Sequence, residues 1–209
     1  MSWIVTADGD ELLLRNPRPG HLTINSIANS LAQINRFNGH AARPYSVAEH
    51  SLLVCTIAER EYGVTDAAGR LAALMHDAHE AWCGDMHSPG KVEIGPAWYA
   101  WEDHLMQHTH RAFALSGAML SFSKAIKLAD LTALATERRD LLPARATTPW
   151  ACLEGIEPVG WVYLNSQHRA SMSWTHWRDK FLTNYDVLDF ARNHHAGLSV
   201  PTPETGAQP

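Results

Sequence analysis

Leu74-Met75-His76-Asp77-Ala78-His79-Glu80-Ala81-Trp82-Cys83-Gly84-Asp85 decides how this chain reads. Leu71, Met75, Ala78 and Trp82 recur at steps of four, three and four, which predicts a helix from Thr65 or Asp66 to Trp82 with one apolar stripe. Ala73, His76, Asp77 and Glu80 form a separate stripe, so one face can pack a core while the other lines a polar cavity. Histidine nitrogen and aspartate oxygen are ligands for a divalent transition metal, and a set that leaves positions open suits hydrolysis. On this helical reading Glu80 shares a face with the His76-Asp77 pair and can reach a water beside the metal.

Two more residues complete the pattern. A helix from Ser46 to about Tyr62 puts His50 in a stripe with Leu53, Val54 and Ile57, pointing inward. A helix over Ser121–Leu141 sets Asp130 beside Ile126, Ala133 and Leu134, where an ionised carboxylate is costly unless paired or metal-bound. A lone inward histidine is usually a hydrogen-bonded core residue, and a lone aspartate at a stripe edge is usually a cap or ion-pair partner. His50, His76-Asp77 and Asp130, in that order on three helices, favour a metal set over coincidence.

The rest of the chain is also helical in pattern. Residues 1–20 contain Gly9, Pro17, Pro19 and Gly20 and read as an extended arm or short hairpin. Further helices fit Ile24–Ile34, Ala97–Leu115 and Ser171–His194. Ser46 and Asp66 are N-cap candidates, Glu49 sits where a capping box needs it, and Gly63 suits a helix end. Gly84 to Gly95 reads as a loop, and 142–162 as a long ordered connection or lid. Together these predict one all-α domain over residues 1–195, followed by a flexible tail over 196–209.

The 209 residues, 45% of them apolar, allow a single domain with a real core. Lys plus Arg total 17 against 22 Asp plus Glu, which speaks against a protein that coats nucleic acid. Cys55, Cys83 and Cys152 form no C-x-x-C pair and read as reduced thiols. The N-terminal residues lack signal-peptide character, and no apolar run approaches the ~20 residues that span a bilayer. A cytoplasmic protein is expected, without membrane or nucleic-acid partners.

The segments Arg36-Phe37, Ser46-Val47-Ala48-Glu49-His50-Ser51-Leu52, Leu74 to Ala81, Gly84-Asp85-Met86-His87-Ser88-Pro89-Gly90-Lys91 and Ala129-Asp130 to Asp140 carry a family resemblance. The chain resembles HD-domain phosphohydrolases, in the small branch of bacterial 5′-deoxynucleotidases and phage deoxynucleoside triphosphate hydrolases. The likeness is good over roughly 22–141 and weak in the C-terminal third. It implies a compact all-α HD fold in which His50, His76, Asp77 and Asp130 hold the metal and Glu80 works with the hydrolytic water. Asp85 would lie near the sugar or scissile phosphate, and Arg36 and Lys91 would face the phosphates. Phe37 stands where the bacterial nucleotidases have Trp; its ring can stack on a base or sugar, or pack the core.

The resemblance further implies a homo-oligomer in a bacterial, or phage-encoded, cytosolic setting. A donor set containing nitrogen favours Mn, Co, Fe or Zn over Mg alone. The arm Arg36-Phe37-Asn38-Gly39-His40 looks closer to the phage-type enzymes, which points to release of intact triphosphate from a deoxynucleoside triphosphate with purine, dATP-type preference. Hydrolysis of deoxynucleoside monophosphates is the alternative, and a non-catalytic nucleotide sensor the rival of another class. A cyclic-nucleotide or cyclic-dinucleotide phosphodiesterase is a further rival, but its second metal would have to recruit His79 and His87, which favours the one-metal reading. His104 and His108 are read as a solvated helix face and Trp174 and Trp177 as core or interface anchors; Glu137-Arg138-Arg139-Asp140 reads as a plain charged helix end, or, as the resemblance implies, as packing the site or contacting a neighbouring subunit.

Overall fold

The structure, a computed structural model, describes residues 2–145 and 147–195. The expected tail over 196–209 lies outside the described residues. The chain opens with a hairpin: β1 (Trp3–Val5) pairs antiparallel with β2 (Glu11–Leu13), Ile4 opposite Leu12. Among the described residues everything beyond it is helix and connection, so the fold is all-α apart from this clip.

Helix α1 (Ile24–Leu31) starts at Thr23, whose Oγ1 accepts from the Ser26 amide, and ends three residues before the expected Ile34. Helix α2 (Val47–Tyr62) runs between the expected signals. Ser46 Oγ accepts from the Glu49 amide, and Gly63, at φ 66°, closes the helix in the left-handed conformation. Glu49 does not complete the capping box. Its buried carboxylate takes Arg43 at 2.6 and 2.8 Å and Arg169 at 2.9 Å, tying the start of α2 to residues far along the chain.

The helix expected over 65–82 is broken. Helix α3 (Ala67–Leu74), capped by Asp66, ends at Met75, and α4 (Glu80–Cys83) begins after a run of turns. The cause is local. His76 Nδ1 lies 2.9 Å from the Ala73 carbonyl, which a continuing helix would give to the Asp77 amide, and the next bonds close three-residue turns from Ala78 to Met75 and from Glu80 to Asp77. The apolar stripe survives the break: Leu71, Met75, Ala78 and Trp82 are all buried.

The expected loop 84–95 contains α5 (Ser88–Ile94). His87 Nδ1 accepts from the Gly90 amide, and Pro89 sits in the first turn, where its missing N–H costs nothing. Then follow α6 (Pro96–Ala112), α7 (Ser116–Ser121), α8 (Ser123–Leu141), α9 (Gln167–Ala170) and α10 (Trp174–His195). The connection after α8 is strapped to it: Arg139 donates to the carbonyls of Val159 and Val162, and Asp140 accepts from the Leu164 amide.

Two apolar clusters hold the elements together. One joins Ile27 and Leu31 of α1 to Leu71, Leu74 and Met75 of the α3 end and Phe181 of α10. The other joins Tyr45, Ile57, Ala133 and Leu164. Helix α2 packs against both α3 and α8, which brings His50, the His76–Asp77 turn and Asp130 to one place.

Candidate metal centre

Four acceptor groups converge where α2, the 75–79 turn and α8 meet. His50 Nε2 lies 3.3 Å from His76 Nε2, 3.5 Å from Asp77 Oδ2 and 3.5 Å from Asp130 Oδ1, and His76 Nε2 lies 3.0 Å from Asp77 Oδ2. Donors bonded at about 2.0–2.2 Å to one ion stand about 3.0–3.5 Å apart in octahedral or tetrahedral geometry, so these separations fit a single cation. His50, His76 and Asp130 by themselves form a group whose ligand atoms all lie within 4.8 Å of one another.

The hydrogen bonds behind the imidazoles set which nitrogen faces inward. His50 Nδ1 is 2.6 Å from Glu137 Oε1, and His76 Nδ1 is 2.9 Å from the Ala73 carbonyl. Both partners are acceptors, so each Nδ1 carries its proton and each neutral ring presents an Nε2 lone pair. Two lone pairs facing each other at 3.3 Å, with two carboxylates beside them, repel unless a cation lies between. The residues therefore fit a divalent metal with nitrogen and oxygen ligands.

The protonation tendencies agree. Burial and Arg36 both push the His50 pKa down, yet Glu137, Asp130 and Asp77 together lift it well above the ordinary imidazole value. Burial would raise Asp77 and Asp130, but the two imidazoles hold both carboxyls below their usual range. A centre this hungry for a proton offers the same attraction to a metal, which replaces it.

Two carboxyls lean the other way. Burial first, then the charges of Asp77 and Asp85, raise the Glu80 carboxyl well above its ordinary value against the opposing Arg36 and His50. Burial also raises Asp85, despite Arg36. Carboxyls pushed apart in this way divide proton-holding from charge-bearing duty. The broken helix changes how Glu80 gets there: it belongs to α4, not to the α3 face, and reaches the site because the turn swings α4 round.

Arg36 is nearly buried. Its Nε and NH2 donate to Glu137 Oε2 at 3.3 and 3.1 Å, while NH1 lies 3.9 Å from both Asp77 and Asp85. Phe37 packs against the Tyr45–Ile57 cluster with its ring 5.5 Å from the Arg36 guanidinium. Its backbone is left-handed at φ 55°, followed by Asn38 at φ 50°, a conformation bulky residues avoid and one found at functional turns. Lys91 donates to Glu102 at 2.6 Å and makes no hydrogen bond to the four converging groups.

Glu137 is the residue that the sequence reading left outside the centre. It is fully buried, orients His50, and accepts from Tyr45 Oη at 3.0 Å as well as from Arg36. The signal was present: Glu137 follows Asp130 by seven residues, two helical turns along one face of α8. Asp140 is likewise buried, so the 137–140 run is no plain charged helix end. His87 is a cap, the half-buried His104 and His108 rings on α6 meet tilted at 60° with centroids 4.6 Å apart, and His79 is buried 3.9 Å from Glu102. Trp177 is a core residue, whereas Trp174 is exposed.

Fold and centre define a class: an all-α protein in which a buried His50 meets the half-buried His76, Asp77 and Asp130 as one candidate donor set. Within it, the chain is 36% identical over 156 residues to the uncharacterized protein YfdR of Escherichia coli K12, covering 75% of this chain and 81% of that protein. It is 36% identical over 143 residues to the uncharacterized protein RCAP_rcc00048 of Rhodobacter capsulatus, covering 67% and 73%. The chain belongs to the family of these proteins. No protein-family model matches it. No helix among the described residues is long and apolar enough to cross a membrane.

Proposed function

We propose that this protein is an HD-domain phosphohydrolase of deoxyribonucleotides, with release of deoxynucleoside and intact triphosphate from a dATP-type substrate as the leading reaction. The observation that carries this reading is the convergence of His50 Nε2, His76 Nε2, Asp77 and Asp130 as facing acceptors. The mixed nitrogen and oxygen set favours Mn, Co, Fe or Zn. When bound, such an ion supplies Lewis-acid charge at phosphorus and a lowered pKa for water.

The surrounding residues supply the rest. Glu80, whose carboxyl keeps its proton unusually well, is suited to exchange protons with the water and leaving oxygen. Asp85, like Asp77, lies 3.9 Å from Arg36 NH1, and the family resemblance assigns it to the sugar or scissile phosphate. Arg36 NH1 and Lys91 supply positive charge to phosphate oxygens. Phe37 offers a ring beside Arg36. A cytoplasmic homo-oligomer with a small-molecule partner belongs to the same reading.

The test is a hydrolysis panel with Mn, Co, Zn and Mg against deoxy- and ribonucleoside mono- and triphosphates, with products separated by chromatography. Deoxynucleoside plus intact triphosphate is the expected result. Orthophosphate from monophosphates alone would make the protein a 5′-deoxynucleotidase instead. Absence of turnover by folded, metal-loaded protein would overturn the enzyme reading in favour of a nucleotide sensor.

A further inference from the structure

Beside the centre lies a second set of donors that the chemistry above does not use as a set. His79, in the turn before α4, Glu80, at its start, and Glu102, in the middle of α6, each offer one ligand atom, and the three atoms lie within 4.8 Å of one another. The packing of α4 on α6 brings them together. His79 is 5% and Glu80 4% exposed, and among the described residues His79 Nδ1 and Glu80 Oε2 are buried without a hydrogen-bond partner. Each unpaired buried atom of this kind costs about 1–3 kcal/mol.

Lys91 is the cation at this place, with its Nζ 2.6 Å from Glu102 Oε1. The ion pair between Lys91 and Glu102 is sufficient for Glu102 but leaves Glu80 Oε2 without a partner, while His79 approaches Glu102 through Nε2 at 3.9 Å. An imidazole and two carboxylates, His79 and Glu80 from the start of α4 and Glu102 from α6, are the ligand types of a transition-metal site.

We propose that His79, Glu80 and Glu102 form a second divalent-cation site, filled when the metal displaces the Lys91 ammonium from Glu102. This does not rest on the phosphohydrolase reading, because it concerns binding alone. It carries one consequence for that reading: loading the second site frees the Lys91 ammonium for an anionic ligand.

The experiment is a titration of the full-length protein with Co(II) and with Mn(II), read by metal analysis after gel filtration and, for Co(II), by visible absorption. The unsubstituted protein should take two equivalents per chain. Glu102→Gln, which keeps the size of the side chain, and His79→Ala should each take one. His76→Ala should keep the second site and lose the first. Lys91→Met should keep two and tighten the second on the order of fivefold, since the competing ion pair is gone. One equivalent in the unsubstituted protein, unchanged by Glu102→Gln, overturns the second site while leaving the first intact. Two equivalents unchanged by Glu102→Gln and His79→Ala overturn it as well. Circular dichroism checks that each variant is folded, and Glu102→Gln decides if His79→Ala is not.

Discussion

Glu80 and Glu137 show how differently two buried carboxylates can act on one centre. Glu80 is held towards its protonated form, so it is suited to moving a proton. Glu80→Gln should therefore lower turnover by about 10²–10⁴-fold with the first metal site still filled. Steady-state rates and metal analysis on the same sample check both halves. Glu137 is held ionised by Arg36, His50 and Tyr45 despite its burial, and it fixes the proton on His50 Nδ1. Glu137→Gln should weaken metal binding by about 10–100-fold, measured by competition with a chromophoric chelator. Unchanged affinity would mean that the Glu137–His50 bond does not set the ring.

At the scale of elements, caps and breaks decide where the site residues stand. Asp66 starts α3 by accepting from the Gly69 amide at 2.9 Å, and Asp66→Ala should cost about 1 kcal/mol in urea denaturation. Much of this level was legible in the sequence. Ser46, Asp66 and Gly63 mark their helix ends correctly because cap chemistry is local. The break at Met75 was not legible, because the apolar stripe continues through it and the interruption comes from the His76 side chain competing for a backbone carbonyl. Helix α5 was hidden for the opposite reason: Pro89 and Gly90 read as breakers, yet both sit in the first turn, where they are tolerated. The order His50, His76-Asp77, Asp130 named residues that do meet. Glu102 gave no signal and Glu49 gave that of a capping box, since Glu102 meets His79 and Glu49 meets Arg169 only through tertiary packing.

At the scale of the molecule, buried polar groups link stability to pH. His110 on α6 is 9% exposed with an unpartnered Nε2, and burial, reinforced by His79 and His76, lowers its pKa to about 4. In the unfolded chain the same imidazole takes a proton near its ordinary value of about 6.5. Between these values the unfolded state binds more protons, so the stability due to neutral His110 is complete above pH about 6.5 and lost as the pH falls towards 4. The loss should be on the order of 3 kcal/mol, read from denaturation midpoints at neutral and acid pH. His110→Asn should flatten that slope; an unchanged slope would place the acid sensitivity elsewhere.

The claim at the centre of this account is that His50, His76, Asp77 and Asp130 hold a metal on which deoxyribonucleotide hydrolysis depends. The most direct measurement strips the full-length protein with a chelator, then follows deoxynucleoside triphosphate hydrolysis as Mn(II) or Co(II) is added back, alongside His76→Ala. The account predicts that the stripped protein is inactive, that either ion restores turnover, and that His76→Ala stays inactive although folded. Turnover that survives both metal removal and loss of His76 would contradict it.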